Sequence, residues 1–287
     1  MKSSLLSRRR FLQLTGGLAL SGTAGFAYTR LLEPAWVEVV EQALIIPNLP
    51  QHLSGRRIAQ LSDIHLGEYT GPEKLWSAVN QVNRLAPDLV FLTGDYVTSS
   101  ASQAAELVEP LRSVQAPVYA ILGNHDLWTD RAIVTRSLAE TPVRLLVNRG
   151  EEALPGLFVA GVDDIWSGQP DIRAALDGAP AGGVSLLLAH EPDFFDQVAD
   201  ARAPVAVQFS GHSHGGQVRL PSTTPDGAGL WTRAPILPRH GERYPIGLYK
   251  VGDRQVYTNR GLGVWPLPFR LNCRPEITIF TLQAHTG

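Results

Sequence analysis

Short apolar runs and helical periodicities alternate through most of the chain. Arg57-Ile58-Ala59-Gln60-Leu61-Ser62 reads as a buried strand, followed by a loop from Asp63 to Gly71. Pro72 then opens a helix to about Arg84, with Leu75, Trp76, Val79 and Val82 on one face. Leu89 to Leu92 is a second strand, Ser102 to Val114 a second helix, and Val118 to Leu122 a third strand. A third helix is expected near Arg131–Glu140, then short strands at Arg144–Val147, Leu157–Val162, Val184–Leu188 and Val205–Phe209. This succession predicts an α/β domain whose sheet is largely parallel at its front. Later strands are expected at Tyr249–Val251, Gln255–Thr258 and Glu276–Leu282. Between them, Pro221–Pro245 has no clear period and reads as a long surface loop.

Composition narrows the class. With 287 residues, 44% hydrophobic and 18% charged, the chain can bury a sizeable core. The formal net charge of −2 argues against a broad basic face, so no nucleic-acid partner is expected. The single cysteine, Cys273, excludes a disulfide framework and a thiolate metal cluster. The first 30 residues hold Lys2, Arg8, Arg9, Arg10 and Arg30 and no acid. A basic cap followed by an uncharged stretch from Phe11 to Thr29 reads as a targeting segment or an N-terminal membrane anchor. At 1.5 Å per residue that stretch reaches roughly 28 Å, barely a bilayer core. Ser7-Arg8-Arg9-Arg10-Phe11-Leu12-Gln13 resembles the twin-arginine export signal. The organisation expected is therefore a signal or anchor over residues 1–30, a linker and leading strand over 31–50, and one domain over 51–287. The expected location is the periplasm or cell envelope, with the cytoplasmic face of the inner membrane as the alternative. The partner for export is the twin-arginine translocase.

Candidate chemistry sits where the strands end. Asp63-Ile64-His65 follows the first strand, Gly94-Asp95 the second, and Gly123-Asn124-His125-Asp126 the third. His190 follows the strand ending at Leu188, and Gly211-His212-Ser213-His214 the strand ending at Phe209. Carboxyl ends of parallel strands converge on one crevice, so these side chains can meet there. Two aspartates, an asparagine and four histidines, with His125 beside them, suit borderline divalent metals such as Mn, Fe, Zn or Co. Alone, each motif is weak: Asp63 reads equally as a turn cap, and His190 as a core histidine. Five such signals in order, each at a strand's end, carry the assignment.

The ordered set resembles the calcineurin-like metallophosphoesterase superfamily. The segments His190-Glu191-Pro192-Asp193, His214-Gly215-Gly216-Gln217 and Asn259-Arg260-Gly261-Leu262-Gly263 are similar to its small bacterial signal- or membrane-anchored branch. The resemblance implies a four-layer α/β/β/α sandwich of two mixed sheets flanked by helices, and a hydrolase of phosphoric ester bonds. It implies that Asp63, His65 and His214 hold one metal, that Asn124, His190 and His212 hold a second, and that Asp95 bridges them. Two such metals, roughly 3.5–4 Å apart, clamp the phosphoryl group and acidify a shared water that attacks phosphorus. His125 is then the proton donor or transition-state stabiliser, with Asp126 orienting its ring. Asn124, His125 and Arg260 are the substrate-contact candidates, a structural ion pair being the other reading of Arg260. Asp163 and Asp164 read as ligand-supporting groups or as turn caps. His52, His240 and His285 match no motif and are expected at the surface.

Three functional readings follow. The first is a phosphodiesterase or phosphomonoesterase acting as a monomer, with a phospholipid or nucleotide-linked glycolipid among its candidate substrates. Within it, a reaction similar to that of the UDP-2,3-diacylglucosamine pyrophosphatases of lipid A synthesis is the alternative, although that substrate is made on the cytoplasmic side. The second is an inactive module that binds metal and phosphate. The third is a membrane-surface module docking through Trp265-Pro266-Leu267-Pro268-Phe269, a stretch that reads more readily as an ordinary buried or rim cluster.

Overall fold

The computed structural model describes residues 7–284, with the side chain of Phe11 excepted; His285 lies outside them. In chain order the elements are helix α1 (Arg8–Ala27), strands β1 (Glu38–Ile46) and β2 (Arg57–Leu61), helix α2 (Pro72–Leu85), strand β3 (Leu89–Thr93), helix α3 (Val108–Arg112), strand β4 (Val118–Ile121) and helix α4 (Asn124–Ala139). Then come β5 (Arg144–Leu145), β6 (Arg149–Leu154), β7 (Leu157–Gly161), α5 (Ile172–Ala175), β8 (Val184–Leu188), α6 (Phe195–Asp200) and β9 (Val207–Ser210). The last are β10 (Leu220–Pro221), β11 (Thr232–Arg233), β12 (Gly247–Val251), β13 (Arg254–Thr258) and β14 (Glu276–Ala284).

Two six-stranded mixed sheets result, in the orders β1-β14-β2-β3-β4-β5 and β12-β13-β9-β8-β7-β6. Their inner strands run parallel: β2 with β3, β3 with β4, β7 with β8, and β8 with β9. The two-residue side-chain period builds three apolar layers. Leu89 and Phe91 of β3 face Leu157 and Val159 of β7 across the space between the sheets. Val90 and Leu92 turn outward to pack on α2 and α3, while Phe158 and Ala160 turn outward toward α5 and α6. This is the four-layer sandwich expected of the family.

Local departures from the expected elements have local causes. On α2 the buried residues are Leu75, Ala78, Val79 and Val82; Trp76 lies about 100° round from Leu75 and is 38% exposed. The helix expected over Ser102–Val114 is a 3₁₀ run, Ala101–Leu107, leading into the short α3. Pro110 has no N–H for the carbonyl of Glu106, so a continuous α ladder cannot pass. The helix expected from Arg131 begins earlier, at Asn124. It kinks at Asp130, whose carboxylate accepts from the backbone N–H groups of Ala132 (2.9 Å) and Ile133 (3.1 Å) as an internal cap. That early start puts Asn124 and His125 on the first helical turn. Three strands gained no sequence signal of their own, the antiparallel edge β6 and the two of the small β10–β11 ribbon. The ribbon lies inside the stretch expected as a featureless loop, pinned by the buried Arg219 paired with Asp226.

In helix α1 residues 8–10 and 12–26 are exposed, and no described helix is long and apolar enough to cross a membrane. The segment after it is tied down. The carbonyl of Thr29 accepts from Arg270 N (3.0 Å), and Glu33, almost fully buried, accepts from Cys273 N (2.7 Å). Phe91→Ala, between the sheets, is expected to cost about 3–5 kcal/mol in urea unfolding, against less than about 1 kcal/mol for the half-exposed Trp76→Ala.

Candidate metal centre and its pocket

The carboxyl ends of β2, β3 and β4 meet those of β8 and β9 at one edge of the sandwich. Backbone hydrogen bonds lock the loops that leave them. Asp63 N donates to Gly94 O (3.0 Å), His65 N to Asp95 O (3.0 Å), Gly211 N to His190 O (3.0 Å) and Gly263 N to Asp63 O (2.7 Å). The buried Gln60 amide ties the two sheets together beside the site, donating to Thr93 Oγ1 and to Ser210 O, both at 3.0 Å.

The loops turn sharply. Asp63, His65, Asp95, His212 and His214 all take left-handed φ values, between +48° and +68°. Each costs a non-glycine residue about 1 kcal/mol or more, which the surrounding hydrogen bonds offset. Gly123 and Gly211 leave room for this: a Cβ at Gly123 would strike Asp95 and His190, and one at Gly211 would strike Ser62 and Asp63.

The result is a tight, buried set of ligand atoms. His65 Nε2 lies 3.1 Å from His214 Nε2 and 3.4 Å from Asp95 Oδ2; His190 Nε2 lies 3.2 Å from Asp95 Oδ2; His214 Nε2 lies 3.5 Å from Asp63 Oδ1. His212 Nδ1 lies 2.9 Å from Asn124 Oδ1. Three overlapping groups are compact enough to hold an ion: Asp63 with His65 and His214, His65 with Asp95 and His125, and Asp95 with His190 and His212. Asp95 and His65 each belong to two of them.

Outer partners decide which nitrogen points inward. His190 Nδ1 bonds the carbonyl of Thr93 (2.6 Å), and His212 Nε2 that of Arg239 (2.8 Å). With Nε2 protonated, His212 Nδ1 presents a lone pair to the site. Burial opposes a charge on His190, but Asp95 raises it well above the usual imidazole range, so its Nε2 carries a proton that an incoming cation would displace. The lone pair of His212 then faces the oxygen of Asn124, and His190 Nε2 has no hydrogen-bond partner. Burial pushes His65 and His212 down to about 3 and His214 well below the usual imidazole range, so all three are neutral and able to donate. Burial drives Asp63 up to about 7, with the nearby Asp95 adding to the rise. Burial likewise opposes the charge on Asp95, but His190 more than reverses this and holds it well below the usual carboxylate range. Nitrogen and oxygen lone pairs converging in a dry site, with no thiolate, fit divalent cations of the Mn, Fe, Zn and Co class.

Several expected roles change. Asp126 does not touch the His125 ring. Its carboxylate accepts from the N–H groups of Gly123 (2.9 Å), Asp95 (3.0 Å) and Tyr96 (2.9 Å), clamping two loops. The carbonyl of Thr98 instead orients His125, at 2.6 Å from Nδ1, and the His125 N–H donates to Asp95 Oδ1 at 2.9 Å. Arg260 is turned away from the site, with Nε to Glu276 and an amino nitrogen 3.0 Å from Glu38. It forms the structural ion pair and is not among the residues that line the adjoining cavity. Asp163 and Asp164 cap the turn that follows β7, accepting from Gln169 N (3.1 Å) and Ser167 N (2.6 Å). His52 is exposed, and His240 is half-buried with its ring 5.9 Å from that of Trp166.

The site opens into a cavity of about 530 Å³ whose apolar walls include Trp128, Trp166 and Trp265. Sequence reasoning missed the first two, although Trp128 stands one helical turn beyond His125, with ring centroids 4.9 Å apart. Segment Pro235–Pro238, expected on the surface, forms another wall. Glu191 holds Trp166 in place by accepting from Ile165 N (3.1 Å) and Trp166 N (3.3 Å).

Asp126→Ala removes the acceptor of four buried N–H groups, those of Gly123, Asp95, Tyr96 and Val97, and is expected to lower stability by roughly 2–4 kcal/mol in chemical denaturation. Asp126→Asn should lose less. Arg260→Ala is expected to destabilise the fold while leaving KM for a small phosphodiester unchanged, as steady-state kinetics would show.

The sequence profile of the calcineurin-like phosphoesterases matches residues 56–216. The chain is 35% identical to the uncharacterized metallophosphoesterase YkuE of Bacillus subtilis, covering 97% of this chain and 98% of that protein. It is 31% identical to the phosphodiesterase YaeI of Escherichia coli, covering 97% and 100%. It is 28% identical to the UDP-2,3-diacylglucosamine pyrophosphatase LpxG of Chlamydia trachomatis, covering 86% and 90%. On a two-sheet sandwich with its ligand set gathered at the strand ends, these matches place the chain in the calcineurin-like metallophosphoesterase family, as a metal-dependent hydrolase of phosphoric ester bonds.

Proposed function

We propose that the protein is a dinuclear phosphodiesterase. Asp63, His65 and His214 would hold one divalent cation, Asn124, His190 and His212 a second, and Asp95 both. The observation carrying this reading is the overlap of three compact ligand groups through Asp95 and His65. Bound cations supply Lewis acidity, neutralising charge on the phosphoryl oxygens and making an attacking water more acidic.

The chain's own residues do the rest. The neutral histidines donate lone pairs, and Asp126 fixes the loops that carry Asp95 and Asn124. His125 faces the cavity with Nδ1 tied to Thr98 O, which leaves Nε2 as the atom that meets substrate. In hydrolysis the water oxygen bonds to phosphorus, its proton passing to solvent, as the bond to the leaving alkoxide breaks. The Nε2–H of His125, facing the cavity, is placed to give its proton to that alkoxide oxygen. Export along the twin-arginine route is part of this proposal, supported by the arginine run of residues 8–10 at the start of α1.

Purified protein supplied with Mn²⁺ is expected to hydrolyse bis-p-nitrophenyl phosphate and to lose that activity with EDTA. Asp95→Ala and His212→Ala should abolish turnover while circular dichroism stays native. His125→Ala should lose roughly 10²–10⁴-fold in kcat while metal content, read by mass spectrometry, is retained. Near-full, metal-dependent activity in Asp95→Ala would overturn the assignment.

A further inference from the structure

The cavity above the candidate metal centre has two chemically distinct halves. Its floor is the ligand set and His125. Its walls are Trp128, Trp166, Ile236, Leu237, Trp265 and Leu267. Beyond the floor, and apart from the single indole N–H donors of the tryptophans, the polar side chains lining it are Ser213 and Gln217, and both are occupied within the protein. Ser213 Oγ donates to Pro245 O (2.5 Å) and accepts from Gly215 N (3.2 Å). The Gln217 amide clamps the backbone of Trp265, donating to its carbonyl (2.5 Å) and accepting from its N–H (2.9 Å). No lysine or arginine lines the cavity among the described residues.

A nucleotide needs partners for its base edges and sugar hydroxyls, and a diphosphate needs a cation for its second phosphate. These walls offer neither. They offer apolar surface, much of it facing water in the free protein: Ile236 is 78% exposed and Leu267 56%. Covering such surface is favourable only for an occupant that is itself apolar.

From this we infer that the substrate is a single-phosphate ester carrying an aliphatic chain, with the phosphate at the floor and the chain along the tryptophan, isoleucine and leucine walls. The inference rests on the phosphodiesterase reading and sets the chain apart from a nucleotide-diphosphate pyrophosphatase. Such a substrate can reach the cavity as a dissolved amphiphile or from a bilayer. The rim also meets the N-terminal segment, where Phe26 packs edge-on against Phe269 with ring centroids 5.4 Å apart.

The test is a series of p-nitrophenyl n-alkyl phosphates, methyl to octyl, each below its micellar concentration. kcat/KM should rise about threefold per methylene until the walls are covered. An activity-independent measurement runs beside it: quenching of tryptophan fluorescence by n-alkyl phosphates, with Kd falling along the same series. Leu267→Asp and Ile236→Asp should flatten both slopes, read as octyl-to-methyl ratios so that any change in overall activity cancels. Flat slopes with an active methyl ester would overturn the inference alone, as would faster turnover of a UDP-linked ester lacking a chain. An inert methyl ester with each of Mn, Fe, Zn and Co would overturn the phosphodiesterase reading beneath it. Presenting the octyl ester in phosphatidylcholine vesicles separates the sources: a rate that tracks vesicle surface marks bilayer delivery, and one that tracks free ester marks delivery from solution.

Discussion

Two carboxylates and three imidazoles cannot be crowded away from water at 3.1–3.5 Å without a strong demand for positive charge among them. Most of the molecule's detail near the sheet edge answers to that constraint. Desolvation keeps His65, His212 and His214 neutral, so they have lone pairs to give. Carbonyls from Thr93 and Arg239 fix which nitrogen is presented. The cost of this arrangement appears in the backbone, where five ligand candidates sit in the left-handed region. A fold without a rigid double sheet behind these loops could not hold them there.

Much of this centre was legible in the sequence, because each ligand motif follows a short, predominantly apolar run and a buried parallel strand is recognisable from such a run. The fold class was legible for the same reason. What was hidden depends on backbone atoms, which leave no trace in residue type. The carbonyl of Thr98 orients His125, a role the order Asn124-His125-Asp126 had invited one to give to the neighbouring carboxylate. Arg260 was ambiguous by chemistry alone, since guanidinium serves a phosphate and a glutamate equally well. Glu276, close in space though distant along the chain, decides it. The split of the Ser102–Val114 helix could have been read from Pro110, whereas the early start of α4 could not, because Asp130 interrupts the apolar period there.

The segments flanking the ligands act as supports. Gln217 fixes Trp265, Glu191 fixes Trp166, and Asp193 accepts from Glu242 N and Arg243 N where the long loop returns. The aromatic walls are thus mounted as firmly as the metal ligands, through separate hydrogen bonds. Polar catalysis and apolar recognition occupy one cavity: Trp166, Ile236, Leu237, Trp265 and Leu267 come from segments that carry no ligand candidate, whereas Trp128 shares its helix with Asn124 and His125.

The strand order β1-β14-β2 carries a consequence for biogenesis. β14 pairs with β1 on one side and β2 on the other, so the two earliest strands have no contact as neighbours until the final one slots between them. A nascent polypeptide emerging from the ribosome therefore holds an unclosed edge until β14 is free, and the first sheet reaches its finished register only when synthesis of that strand is over.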